Sequence, residues 1–275
     1  MLVVDFDGTL LRSDGSFAPD DLLALARLGD RSVLRVIATG RSAFSYRRTM
    51  GNRSLPVDFM VFSSGVATAR MPDLKVVSSS GLTAEETAAA ARVLLEHDLD
   101  FMVQDPVPDN HCFAWHRSAG SPDFQRRLSL YEGYSRPLPT DLKQIGPSTQ
   151  LIAILSSPGA VDTAERVSRL LGQFSVIRAT SPLDGASFWL EIFPQGVSKS
   201  TACAALARQA NVAPREVLAI GNDYNDLDVL RWAGTSFVTA NAPEELRSEF
   251  PVVAANDHGG VAQAVDSWLA DSAGP

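Results

Sequence analysis

Cysteine is scarce in this chain. Cys112 and Cys203 are the only two in 275 residues, and they share no metal-ligand spacing. Such a pair builds neither a disulfide framework nor a thiolate metal site, so a reducing compartment is the simpler setting. Basic residues are in deficit: 24 Lys and Arg stand against 32 Asp and Glu, a formal net charge of −8. That balance argues against a broad polyanion-binding face, and so against nucleic acid as a partner. No apolar run approaches the ~20 residues of a membrane span, and Met1-Leu2-Val3-Val4 leads straight into Asp5 without a leader-like segment. Repeats and low-complexity tracts are missing too. The expectation from these absences is a cytoplasmic protein working off the membrane; they leave its oligomeric state open.

What is present is ordinary globular material, 45% hydrophobic and 20% charged. The length allows one large domain or two modest ones. Leu2-Val3-Val4 is a short apolar strand ending in polar residues. Leu22, Leu25 and Leu28 share one face of a helix over 20–28, with Pro19 at its start and Gly29 as its end. Strands over 33–38 and 57–62 and a helix over 42–50 follow. Strands alternating with helices predict a parallel sheet covered on both faces.

The pattern changes in the middle. Thr83 and Glu86 form a capping box for a helix running to about His97. Strand-like segments at 101–104, 111–116, 150–155 and 174–179 surround an irregular Pro-rich stretch at 118–148 and a helix over 162–171. Alternation resumes near Phe188, with a helix over 198–210 that Asn211 ends in a left-handed cap and a strand over 217–220. The expected fold is α/β: a Rossmann-like parallel-sheet core formed by 1–74 and 186–275, with an α+β domain of 75–185 inserted into it.

In open α/β sheets ligands gather at the carboxyl ends of the strands. Four such ends carry polar groups: Asp5-Phe6-Asp7-Gly8, Thr39-Gly40-Arg41, Ser63-Ser64-Gly65 and Gly221-Asn222-Asp223-Tyr224-Asn225-Asp226. If the first and last strands are neighbours, the crowded acids require a cation between them; Mg²⁺ suits carboxylate and water ligands beside a phosphate. Asp5 can accept a phosphoryl group as a nucleophile. Asp7 can protonate a leaving oxygen and then activate water. Gly8 lets the chain turn sharply. The Thr39 hydroxyl and the N–H groups around Gly40 can hold phosphate oxygens. Arg41 either binds substrate or pairs with a neighbouring acid, and the second is favoured. Lys199 occupies a helix first turn, where the dipole disfavours a cation, so it is aimed at an anion.

These motifs, in order, resemble the haloacid dehalogenase superfamily of phosphohydrolases, in its Cof-type, sugar-phosphatase-like branch with a large cap between the second and third motifs. The motifs are Asp5-Phe6-Asp7-Gly8-Thr9-Leu10, Ala38-Thr39-Gly40-Arg41, Gly196-Val197-Ser198-Lys199 after Leu190-Glu191-Ile192, and Gly221 to Asp226. The resemblance implies a phosphatase acting on a small phosphorylated metabolite, a sugar phosphate first. Asp5 would be nucleophile and metal ligand, and Asp7 general acid/base with its carbonyl on the metal. Thr39, Lys199 and Asn225 would hold the phosphoryl group, with Gly8 and Gly40 beside it. The cap would select the leaving group.

One departure stands out. The family's fourth motif begins Gly-Asp, and this chain has Asn222 at the metal-binding position. An amide oxygen can coordinate Mg²⁺ but brings no charge, and Asp223 or Asp226 is expected to supply it. The rival to a hydrolase is therefore a metabolite-binding, regulatory protein with weak or no turnover; a phosphotransferase or mutase is the third reading. In the cap, Asp105, His111, Trp115, His116, Arg117, Tyr131, Tyr134 and Arg136 are candidates for substrate contact, although packing or surface is the expectation for each one singly.

Overall fold

The structure is a computed structural model describing residues 1–118, 120–156, 159–181, 183, 185 and 187–272. The chain opens with β1 (Leu2–Asp5), α1 (Pro19–Asp30), β2 (Arg35–Ala38), α2 (Ala43–Met50), β3 (Phe59–Phe62), β4 (Ala67–Arg70) and β5 (Lys75–Ser79). It continues with α3 (Ala84–Glu96), β6 (Asp100–Gln104), β7 (Phe113–His116), α4 (Pro122–Leu130), β8 (Ser135–Pro137), β9 (Gln150–Leu155), α5 (Ala160–Leu170), β10 (Ser175–Thr180) and β11 (Phe188–Phe193). It ends with α6 (Lys199–Gln209), β12 (Leu218–Gly221), α7 (Leu227–Trp232), β13 (Thr235–Thr239), α8 (Glu244–Glu249), β14 (Val252–Val253) and α9 (Gly260–Ser272). Two compact units result: Met1–Ser78 with the chain from Ser198 onward, and Ser79–Val197. Among the described residues no helix is long and apolar enough to cross a membrane.

The first unit is built on an eight-stranded sheet in the order β14-β13-β12-β1-β2-β3-β4-β5. Its first six strands are parallel, and β4 turns back antiparallel on β3. Successive side chains point to opposite faces of a strand. Val3, Val36, Val61, Ala219 and Val238 accordingly form one buried face with Cys203, Leu206 and Leu230, while α1 and α9 pack together on the unit's other helical layer. The decisive feature is that β1 lies between β12 and β2: Val3 pairs with both Ala219 and Val36, and Asp5 with Ala38. Thr39, Asp5 and Asn222 therefore emerge side by side.

The second unit has a six-stranded sheet, β10-β11-β9-β6-β7-β8, antiparallel except for β7 with β8. α3 and α5 cover one face. Ala160, Ala164, Val167 and Leu171, at helical spacing, join Phe101, Leu151 and Leu190 in its core. The Thr83 capping box forms as the sequence indicates, with Glu86 N–H on Thr83 Oγ1 at 3.2 Å and Thr83 N–H on Glu86 Oε2 at 2.8 Å.

Three expectations need correction. Residues 187–197 belong to the second unit, because β11 pairs with β10 over Phe188–Phe193 and with β9 over Phe188–Ile192; strand pairing, invisible in one strand's composition, decides the boundary. The 118–148 stretch contains α4, whose signals are only Ser121, which accepts the Phe124 N–H at 3.4 Å, and Pro122 in its first turn. Gly29 does not end α1, which runs to Asp30 and is followed by Ser32 in the left-handed region at φ 57°.

Candidate active site

The loop after β1 is shaped by one buried ring. Phe6 lies edge-on to Tyr46 at 5.4 Å and 6.0 Å from Phe17, and the Leu11 N–H donates to its carbonyl oxygen at 2.7 Å. With Phe6 fixed, the acids on either side have separate environments. Asp5 is buried, and Asp7 is partly open to solvent. Gly8, at φ 74°, makes the turn; a Cβ there would stand 2.6 Å from the Asn222 amide, so both backbone conformation and space demand glycine.

Lys199 sits at the bottom of the site, fully buried. Its Nζ donates to Asp5 Oδ1 at 2.7 Å, to Asp226 Oδ1 at 2.6 Å and to Asn225 Oδ1 at 3.3 Å. Burial alone would lower the lysine's pKa, but the carboxylates of Asp226 and Asp5 outweigh it and hold the ammonium above its usual range. Asp5 is raised above the ordinary carboxylate range by burial and by the charge of Asp226, against the opposing pull of Lys199. Asp228 accepts the Ser200 N–H at 2.9 Å, which occupies a donor of the α6 first turn and offsets the misplaced cation.

Two further loops complete the wall. The buried Thr39 donates its N–H to the Val61 carbonyl at 2.8 Å, and its hydroxyl accepts the Arg41 N–H at 3.1 Å, with Gly40 between them. Ser63 and Ser64 adopt left-handed φ values of 48° and 52°, and their N–H groups bind the carbonyls of Arg41 and Thr39 at 2.9 and 3.0 Å. Gly65 follows at φ 118°, and a Cβ on it would collide with the Ser198 carbonyl, directly before Lys199. The loop after β3 thus sets the height of the lysine helix.

Arg41 takes the second of its two roles. It grips Asp7 with two hydrogen bonds, Nε to Oδ2 at 2.7 Å and Nη2 to Oδ1 at 2.6 Å, and its remaining nitrogen reaches Thr49 at 2.5 Å and Ser45 at 3.1 Å. The planar fork fixes the carboxylate's orientation as well as its charge.

The Asn222 amide has one end 3.1 Å from Asp5 Oδ2, 2.8 Å from the Asp7 carbonyl oxygen and 2.9 Å from Thr9 Oγ1. Carboxylate and carbonyl oxygens only accept, so the amide atom facing them is assigned as Nδ2, donating. Among the described residues no three His, Cys, Asp or Glu side chains converge as a metal cluster. What converges is one carboxylate oxygen, one main-chain carbonyl and one amide, and with the amide oxygen turned inward this is the hard donor set that Mg²⁺ takes. Both side-chain oxygens of Asp226 are committed within the protein. Its Oδ1 is held by Lys199, and its Oδ2 accepts the N–H groups of Asn222 and Asp223 at 2.9 and 3.1 Å.

The family model for haloacid dehalogenase-like hydrolase matches residues 2–265. The chain belongs to the haloacid dehalogenase-like hydrolases. This hydrolase is 26% identical over 271 residues to the HMP-PP phosphatase of Klebsiella pneumoniae, covering 96% of this chain and 94% of that one. It is 23% identical over 287 residues to the 5-amino-6-(5-phospho-D-ribitylamino)uracil phosphatase of Bacillus subtilis, covering 98% and 97%. Among solved structures, the phosphatase BT1666 of Bacteroides thetaiotaomicron superposes with a TM-score of 0.79 at 23% identity, over 98% of this chain and 94% of that one. The expected superfamily, its Cof-type phosphatase branch and the α/β fold are borne out.

Six of the second unit's polar candidates have partners within that unit. Arg136 grips Asp105 at 2.6 and 2.9 Å, the rings of His111 and Tyr134 meet at 5.2 Å, His116 faces Phe101 at 5.5 Å, and Tyr131 lies 5.8 Å from Phe113 with Arg127 over its ring at 4.1 Å. Sequence reading gave no role to Thr9, Gly65 or Asp228. Gly65 alone had a legible signal, a glycine directly after two serines at a strand end.

Proposed function

We propose that this hydrolase is a Mg²⁺-dependent phosphomonoesterase that acts on a small phosphorylated metabolite through an aspartyl-phosphate on Asp5. The observation that carries the reading is the Lys199 ammonium bridging Asp5 and Asp226, with Asp7 one residue beyond the buried Phe6. A carboxylate fixed by a buried cation at a strand end is placed to attack, and the site's donors are placed to balance charge, which is most of what phosphoryl transfer needs.

The Asp5 carboxylate forms a bond to phosphorus as the ester P–O bond breaks. Lys199, Asn225, the Thr39 hydroxyl and the N–H groups of Gly8 and Gly40 themselves hold the transferring oxygens. The departing alkoxide takes a proton from Asp7, whose carboxyl can carry one once one of its oxygens is released from Arg41. In the second half, Asp7 takes a proton from water, the water oxygen bonds to phosphorus, and the bond to Asp5 breaks to release phosphate. Mg²⁺, when bound, neutralises charge between Asp5 and the phosphate; Asp5, the Asp7 carbonyl and Asn222 would hold it.

The second unit, Ser79–Val197, selects the leaving group in this reading. Relatives named an HMP-PP phosphatase and a 5-amino-6-(5-phospho-D-ribitylamino)uracil phosphatase, and a structural neighbour titled a sugar phosphatase, support a phosphorylated sugar or sugar-like polyol, free or joined to a ring, as the substrate class. The unpaired Cys112 and Cys203 suit a cytoplasmic setting. Phosphate release with Mg²⁺ over a panel of sugar phosphates, polyol phosphates and phosphorylated pyrimidines tests the proposal. Activity is expected on at least one member and none with Asp5→Asn; activity retained by that variant overturns the reading. Binding without turnover across the panel would favour the regulatory alternative, for which the Asn222 substitution is the one observation.

A further inference from the structure

We infer that Asn241 is a positioning residue of this hydrolase: together with Thr239 it holds the Gly8 carbonyl, and through Gly8 it fixes the main chain of Asp7. The inference rests on the functional reading above, in that Asp7 moves the protons there.

Gly8 is the softest point of the loop after β1. It sits at φ 74°, and a glycine has no Cβ to keep the chain in one backbone well. Arg41 grips the Asp7 side chain, but a carboxylate is placed only as well as the backbone that carries it. The Gly8 carbonyl oxygen accepts from two side chains, Asn241 Nδ2 at 2.8 Å and Thr239 Oγ1 at 3.3 Å. These donors lie 233 and 231 positions further along the chain, at the end of β13. Two donors on one carbonyl fix the peptide plane after Gly8, and with it the turn that delivers Asp7.

The Asn241 amide is itself oriented. Its Oδ1 accepts the Asn256 N–H at 3.1 Å. A main-chain N–H only donates, so the amide nitrogen is the end that faces Gly8. Asn256, buried ahead of α9, donates its own Nδ2 to the Leu11 carbonyl at 3.0 Å. Leu11 in turn closes the loop with its N–H on the Phe6 carbonyl at 2.7 Å. The pair of asparagines therefore holds the turn at both Gly8 and Leu11.

The need to satisfy a stranded carbonyl does not explain this arrangement. Asn241 is exposed and Gly8 is only half-buried, so water can serve that oxygen, and exchanging a protein donor for water costs little stability. Water does not supply a fixed direction. A side chain that matters little for stability and much for direction acts on the rate, because a displacement near 1 Å at a reacting group costs about 10²-fold.

The test compares the full-length chain with Asn241→Ala, Asn241→Asp and the double variant Thr239→Val/Asn241→Ala, using p-nitrophenyl phosphate and Mg²⁺. Asn241→Asp keeps an acceptor for Asn256 and loses the donor to Gly8. Alanine removes both without adding charge, so an effect shared by the two single variants belongs to the lost donor. The single variants are expected to lose about tenfold in kcat and the double variant about 10²-fold, with KM and melting temperature nearly unchanged. A second arm needs no turnover. Arg41 Nε donates to Asp7 Oδ2 at 2.7 Å, so its N–H signal in NMR reports whether Asp7 is in place; it is expected to exchange with solvent faster in every variant than in the natural chain. An unchanged kcat in the double variant, a loss confined to KM or to melting temperature, or an Arg41 N–H indifferent to the substitutions would each overturn the inference. No turnover by the natural chain, with the Arg41 signal responding as expected, would instead count against the phosphatase reading alone.

Discussion

Lys199 Nζ lies 2.7 Å from Asp5 Oδ1, although the two residues are 194 positions apart in the chain. The pair is buried and shares its ammonium with Asp226 at 2.6 Å. Taking the lysine away leaves two carboxylates buried without their counter-ion. Lys199→Met should therefore abolish phosphate release and lower stability by about 3–5 kcal/mol, the usual penalty for breaking a buried ion pair. Urea denaturation beside a phosphate-release assay checks both; a variant of unchanged stability would show that the triad is not held as described.

Gly65 sets where that lysine stands. Gly65→Ala must relieve a clash with the Ser198 carbonyl and hold alanine at φ 118°. Roughly 1–3 kcal/mol of destabilisation is expected from the backbone strain. The larger effect should be on kcat, down by about 10²-fold, because a displacement near 1 Å at a reacting group has that consequence. Melting curves and kinetics on the same preparation separate the two.

Arg41 holds Asp7 from two sides and is itself fixed by Ser45 and Thr49. Arg41→Ala should leave the fold intact and reduce kcat by on the order of 10–100-fold, with Mg²⁺ affinity unchanged. Lysine should rescue little, since a point charge cannot reproduce a two-bond grip. A loss confined to KM would show instead that Arg41 holds substrate.

Asp21 offers a pH-dependent signature outside the site. It is buried at the start of α1, accepts the Ala262 N–H of α9 at 2.7 Å, and has its other oxygen buried without a partner. Burial raises its pKa from 3.8 to about 6, against the pull of that N–H. The folded state thus binds more protons than the unfolded chain between those values, and stability from this group falls as pH rises through the window. Asn retains an oxygen for Ala262 and cannot ionise. Asp21→Asn should gain in melting temperature relative to the natural chain between about pH 4.5 and pH 7.5; a difference independent of pH would contradict the assignment.

The legible part of the site was the part written in contiguous residues. Asp5 and Asp7 follow an apolar strand, Thr39 follows another, and Lys199 violates the helix dipole in a way that sequence can register. The capping box at Thr83 and the left-handed Asn211, at φ 56°, were legible for the same reason: a few neighbouring residues fix them. α4 has too few apolar positions to show a helical period, and the strand partners that place β11 in the second unit are not encoded in its own composition.

The sequence by itself determined which atoms were available: two acids, Asp5 and Asp7, at one strand end, the acids and amides of 222–226 at another, a lysine on a helix, and the donors to hold a phosphate. Only the tertiary structure decided how they are committed. Placing β1 between β12 and β2 brought Asp5 and Asn222 together; burial then obliged every charge and polar atom to find a partner, since an unpaired one costs too much away from water. That requirement ties Asp226 to Lys199, Asp7 to Arg41 and the Asn222 amide to two acceptors, and none of these choices can be read from spacing along the chain.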